Sequence, residues 1–65
     1  MIIQWYRDDE TARVFSPLDT VLAEFPYLPD RDMVDVRLRN FGFRRAEKWK
    51  QCAWGAEARL RKVKP

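Results

Sequence analysis

Residues 44–63 read Arg-Arg-Ala-Glu-Lys-Trp-Lys-Gln-Cys-Ala-Trp-Gly-Ala-Glu-Ala-Arg-Leu-Arg-Lys-Val, and the fold turns on what this stretch becomes. Its apolar positions Ala46, Trp49, Cys52, Ala53, Ala56, Leu60 and Val63 recur mostly at intervals of three and four. Such spacing lays one stripe along a helix, and Ala, Glu, Lys, Arg, Leu and Gln are good helix formers. The pattern predicts a long C-terminal helix from Arg44 onward. Gly55 weakens its middle by about 1 kcal/mol relative to Ala, a place for a kink or break. Trp54 lies off the stripe, either a rim contact or an anchor for a partner.

Upstream of this stretch two patterns compete. Val34, Val36 and Leu38 alternate with Asp35, Arg37 and Arg39, the period-2 mark of a half-buried strand. A helix is the alternative, with Asp30 as its cap, Met33, Val34, Leu38 and Phe41 as its stripe, and Gly42 as a left-handed stop. The alternation is cleaner and its residues are β-branched, so a strand is expected. Before it, Ser16 can cap, Pro17 suits a first helical position, and Asp19 lies near the exposed amides of a helix start. Leu18, Val21, Leu22 and Phe25 then recur at i, i+3, i+4 and i+7 until Pro26 forbids continuation. A short helix over 17–25 is predicted. The stiff Pro26–Pro29 loop should pack Tyr27 and Leu28 back on the core. Ile2–Tyr6 and Thr11–Phe15 are β-branched and aromatic runs joined by Arg7-Asp8-Asp9-Glu10, which predicts an antiparallel hairpin. Together these make a small single α+β domain over 1–65: N-terminal β-hairpin, short helix, third strand (or helix), longer C-terminal helix.

A chain of 65 residues makes one domain at most, and a domain of that size buries only about 60% of the surface its unfolded chain exposes. An apolar content of 46% with 35% charged residues fits a globular fold rather than a disordered tail. Cys52 has no second cysteine to pair with, and without His the usual zinc ligand sets are missing. Ile2-Ile3 is followed at once by Gln4 and Arg7, unlike a signal segment, and no apolar run approaches the roughly 20 residues that cross a bilayer. The chain reads as cytoplasmic, with no membrane partner.

Charge is sorted along the chain. Residues 1–36 hold three bases against eight acids, a net −5, and residues 37–65 hold ten bases against two acids, a net +8. A basic segment this concentrated attracts polyanions or an acidic protein face. Catalysis has little support, because the commonest general base is absent. Cys52, with Lys48 and Lys50 near it in sequence, reads as a buried structural thiol before a nucleophile. Ser16 reads as a cap, and Asp8-Asp9-Glu10 as a solvated turn before a cation site. The chain is expected not to be an enzyme and to need no cofactor or metal.

The basic segment interleaved with rings is the better lead. In the strand reading Arg37, Arg39, Phe41 and Phe43 share one face, where charges could track phosphates and rings stack on bases. Arg39-Asn40-Phe41-Gly42-Phe43 resembles the opening of the first ribonucleoprotein motif of RNA-recognition domains. Asn40 stands where that motif has glycine, Arg44 where it has an aliphatic residue, and Ala46 where it has its last aromatic. The resemblance spans five or six residues of a chain too short for that four-stranded domain, so it implies no membership. The competing outcome is that Phe41 and Phe43 bracket a glycine turn and both bury. Arg45, Lys48, Lys50, Arg59, Arg61 and Lys62 would line the last helix against phosphates or in a groove, with Arg59, Arg61, Lys62 and Lys64 extending the footprint as a tail and Arg44 joining the binding set. Trp54, Phe41 or Phe43 would serve as the stacking rings. The expected function is a non-catalytic module binding nucleic acid or a ribonucleoprotein. The alternative is a small regulator or inhibitor, of phage or mobile-element type, that occludes an acidic protein surface. Self-association through opposite charges, giving a homo-oligomer, is a third reading. The polyanion reading requires that the N-terminal acids leave the C-terminal cations free in the folded chain; if each cation is partnered, the protein-interface reading takes over.

Overall fold

Two-residue alternation governs the longer central strands of this chain. In the computed structural model, which describes residues 1–63, β1 (Ile2–Tyr6) and β2 (Thr11–Phe15) form the expected hairpin, with Ile3 opposite Val14 and Trp5 opposite Ala12. β3 (Val21–Phe25) pairs antiparallel with β2. A 3₁₀ turn over Arg31–Met33 leads into α1 (Val34–Asn40), and β4 (Phe43–Arg45), β5 (Lys50–Cys52) and β6 (Gly55–Lys62) complete the chain. The sheet order is β3-β2-β1-β6-β4, antiparallel at every pairing, with β5 also on β6. β4 and β5 lie end to end along one edge of β6, opposite Leu60–Lys62 and Gly55–Glu57, and the chain bulges out over residues 46–49 between them.

The protein is therefore mostly sheet, and the expected α+β arrangement with a longer C-terminal helix is wrong. Ala56, Ala58 and Leu60 alternate with Glu57, Arg59 and Arg61, while Ala56, Leu60 and Val63 keep the three-and-four spacing, so residues 56–63 satisfied both periods. Tertiary pairing chose between them. The free edge of β1 takes β6 as a five-residue ladder, and Ala56, Ala58 and Leu60 enter the core beside Ile3 and Trp5. Gly55 is the residue that allows the approach. A Cβ built there would stand 1.9 Å from the Trp5 carbonyl oxygen, so only glycine fits where β6 meets β1.

The two middle segments are also exchanged. Over 17–25 there is a turn and a strand in place of the predicted helix. Asp19 N donates to Ser16 O at 3.0 Å, and Ser16 Oγ accepts from the amides of Leu18 and Thr20 at 3.2 and 3.1 Å. Ser-Pro-x-Asp suits a β-turn as well as a helix start, because proline pre-sets the same φ for both. Leu18, at the head of the expected stripe, is 88% exposed. Over 34–40 the helical alternative holds instead of the strand. Val34 and Leu38, one turn apart, are buried, while Val36 is exposed. Asp30 Oδ1 accepts from Asp32 N at 3.0 Å, and Gly42 takes a left-handed φ of +83° after the helix. In the loop before it, Leu28 packs into the core as expected. Its carbonyl accepts from Trp5 Nε1 at 2.8 Å, whereas Tyr27 faces solvent.

The core unites Ile3, Trp5, Ala12, Val14, Phe25, Ala56, Ala58 and Leu60 from the sheet with Leu28, Val34 and Leu38 from the loop and helix. All of these lie on one side of the sheet. The other side, bearing Ile2, Gln4, Tyr6, Thr11, Arg13, Phe15, Arg44, Lys50, Cys52, Glu57, Arg59 and Arg61, has no buried side chain. Among the described residues no helix is long and apolar enough to cross a membrane.

Candidate functional site

The expected row of Arg37, Arg39, Phe41 and Phe43 on one strand face does not form, because helical geometry disperses residues two apart. Arg37 is solvent-exposed on α1, and Arg39 lines a groove beside it. Phe41 is 61% exposed and meets Phe25 edge-on, with ring centroids 5.0 Å apart. Phe43 is half-buried against the core. These two rings are not a stacking pair. Lys62, at the end of β6 opposite Phe43, is exposed. Lys64 lies outside the described residues.

β4 and its neighbours gather the basic side chains instead. Antiparallel partners project from the same face, so Arg44 and Arg61, directly opposite in β4 and β6, stand side by side on the open face. Both are exposed, and neither has a carboxylate within ion-pair distance among the described residues. Like charges in that relation oppose pairing by about 0.2–1 kcal/mol. Arg59, two residues back on β6, shares their face. Around the outer edge of β4 runs an open groove of about 1050 Å³ that Arg39, Arg44 and Lys48 border together with Asp35, Arg45 and Glu47.

The acids of that groove are already engaged. Arg45 forms a two-pronged pair with Asp35, Nε to Oδ1 at 2.7 Å and Nη2 to Oδ2 at 2.8 Å, and also donates to the Glu47 carbonyl at 3.1 Å. Its guanidinium lies over the Trp49 ring, 5.0 Å from the centroid. The Asp35 hydrogen bond raises the Arg45 pKa further above its ordinary value, against the opposing effect of partial burial. Arg45 thus clips α1 to β4 and is a structural cation. Glu47 accepts from Arg59 Nε at 2.7 Å and has Lys50 Nζ at 3.9 Å. The Arg59 hydrogen bond lowers its pKa.

These contacts answer the question of charge cancellation. Among the described residues, Arg45 is the one C-terminal cation that pairs with an acid of residues 1–36, while Arg59 and Lys50 share Glu47 of their own segment. Arg37, Arg39, Arg44, Lys48, Arg61 and Lys62 have no acid partner among the described residues. The N-terminal cation Arg13 pairs with Glu24 across β2 and β3.

Trp54 sits in the β5–β6 turn, 40% exposed, its ring 5.4 Å from that of Tyr6. Tyr6 did not stand out in the sequence. The signal was its parity: within β1 it alternates out of phase with Ile3 and Trp5, so it must leave the opposite face. Cys52 is half-buried on β5, with Sγ 3.6 Å from the Lys50 carbonyl and 3.9 Å from Glu57 Oε1. Asp8, Asp9 and Glu10 occupy the exposed β1–β2 turn, and among the described residues no three metal-ligating side chains cluster. No known protein family, curated protein or solved structure matches this chain.

Proposed function

We propose that this protein is a non-catalytic nucleic-acid-binding module whose contact surface is the β4–β6 corner with its groove. One observation carries the reading: Arg44 and Arg61 are held side by side across two strands with no carboxylate between them. That arrangement disfavours the free fold and becomes favourable when a phosphate sits over both guanidiniums. Arg39 and Lys48 continue the positive surface around the edge of β4, where Arg45 and Arg59 hold Asp35 and Glu47 in ion pairs. A reducing, cytoplasmic setting belongs to the same reading, supported by a lone cysteine.

Titration of labelled oligonucleotides by fluorescence anisotropy tests it. Affinity should fall with salt along a log–log slope of about −0.7 to −0.9 per phosphate neutralised. Arg44→Ala and Arg61→Ala should each flatten that slope by just under one contact and weaken all sequences alike. Absence of binding near about 50 mM salt would overturn the proposal. The occluding-inhibitor reading would then gain from a stoichiometric lysate protein that stays bound through nuclease and high salt.

A further inference from the structure

Resting on that reading, we infer that the ligand is single-stranded, and that Trp54 is the ring on which one of its bases stacks. The open sheet face carries the Tyr6–Trp54 ring pair at one end of β6 and the unpaired Arg44–Arg61 couple at the other. Tyr6 lies opposite Gly55 at the start of β6, with Trp54 immediately before it, while Arg59 and Arg61 project from the same face further along. At about 3.3 Å per residue, Gly55 to Arg61 covers roughly 20 Å of strand. Tyr6 is already occupied: its hydroxyl donates to Gln4 Oε1 at 2.8 Å, and the Arg13 guanidinium lies 5.7 Å from its ring centroid. Trp54, tilted 40° against it, is propped by Tyr6 and stays 40% exposed. The Trp54 carbonyl accepts from Arg7 N at 3.0 Å, which ties the turn to the end of β1 and positions the indole.

A duplex keeps its base faces stacked inside and offers only phosphates and groove edges, so no base can lie on the indole. A single strand can lay its backbone toward Arg59, Arg61 and Arg44 and turn one unpaired base onto the indole. Glu57, on the same face between rings and cations, disfavours a phosphate there, so the charged contact is concentrated at the Arg44–Arg61 end.

The test compares three probes of equal length on the unmodified protein: oligo(dT), an abasic deoxyribose-phosphate strand, and a hairpin duplex. Oligo(dT) should bind about 5- to 150-fold more tightly than the abasic strand, the range for one stacked base, with the same salt slope. Trp54→Ala should bring oligo(dT) to the abasic level, and Trp54→Phe should retain most of the gain. Equal binding of oligo(dT) and the abasic strand, or tighter binding of the duplex, overturns the single-strand inference and leaves the polyanion reading standing. Failure of all three probes removes both. The wild-type comparison decides the single-strand inference even if Trp54→Ala does not fold, and a folded Trp54→Ala or a Trp54→Phe variant whose preference for oligo(dT) departs from these values removes Trp54 as the stacking ring.

Discussion

The same strands build the two faces of this sheet, yet the faces are under different constraints. On the covered face Ile3, Val14, Ala58 and Leu60 need only be apolar and fit under Val34 and Leu38, with Trp5 adding one buried hydrogen bond to the Leu28 carbonyl. On the open face Arg13–Glu24 and Arg59–Glu47 are paired, while Arg44 and Arg61 oppose one another. The contrast shows where stability resides: burial on one side is large enough to tolerate an unfavourable charge pair on the other. Total stability for a chain of this length is on the order of 3–10 kcal/mol, so the tolerated term is a visible fraction of it.

The largest way to break the contrast is at Gly55, where both faces depend on β6 reaching β1. Gly55→Val should abolish cooperative folding, since its side chain collides with the Trp5 backbone. An unchanged urea midpoint would mean that the β1–β6 register is wrong. Next comes a matched pair of truncations. Leu38→Ala on the covered face should cost about 2–5 kcal/mol, and Ile2→Ala on the open face about 1 kcal/mol. Equal losses in urea melts would show that something covers the open face.

Acid sharpens the comparison further. The Glu47 carboxyl is held below its ordinary 4.5 by the Arg59 hydrogen bond. A depressed carboxylate stabilises the fold above its unfolded pKa, and that contribution disappears as pH falls through the folded value. Wild-type stability should therefore drop on the acid side of 4.5, and Glu47→Gln should show a shallower drop, measured as urea midpoints across that range. The smallest effect has the opposite sign. Arg61→Glu should stabilise the fold by about 0.2–1 kcal/mol by placing an acid opposite Arg44, while weakening oligonucleotide binding. Lower stability together with unchanged binding would remove Arg61 from the contact surface.

The N-terminal hairpin was legible because Ile2–Tyr6 and Thr11–Phe15 are β-rich, short and separated by a polar turn, and no helical stripe competes there. The cations were legible as a class, and Trp54 was singled out only as lying off a helical stripe that does not form. Their grouping was not legible. Arg44 meets Arg61 only through the β4–β6 register, and Tyr6 meets Trp54 only because β1 and the β5–β6 turn converge on the same end of β6. The misread segments have two causes. In Val34–Leu38 and over 56–63 a two-residue alternation and a helical spacing coexist, so local pattern could not separate strand from helix. Over Ser16–Phe25, in contrast, a helical stripe was overridden by the Ser-Pro turn and by pairing with β2.

What the linear chain settled alone was its inventory and its charge order: bases downstream, acids upstream, no His and a lone Cys. Local chemistry marked Ser16, Asp30 and Gly42 as boundary residues, but Ser16 closes a turn rather than the expected helix, and Asp30 and Gly42 bound the helical alternative rather than the expected strand. Long-range pairing decided the rest. An unpaired β1 edge leaves backbone amides and carbonyls without partners, and Gly55–Lys62 could meet that need only by giving up its own helical hydrogen bonds. That exchange carried the arginines onto an open sheet face.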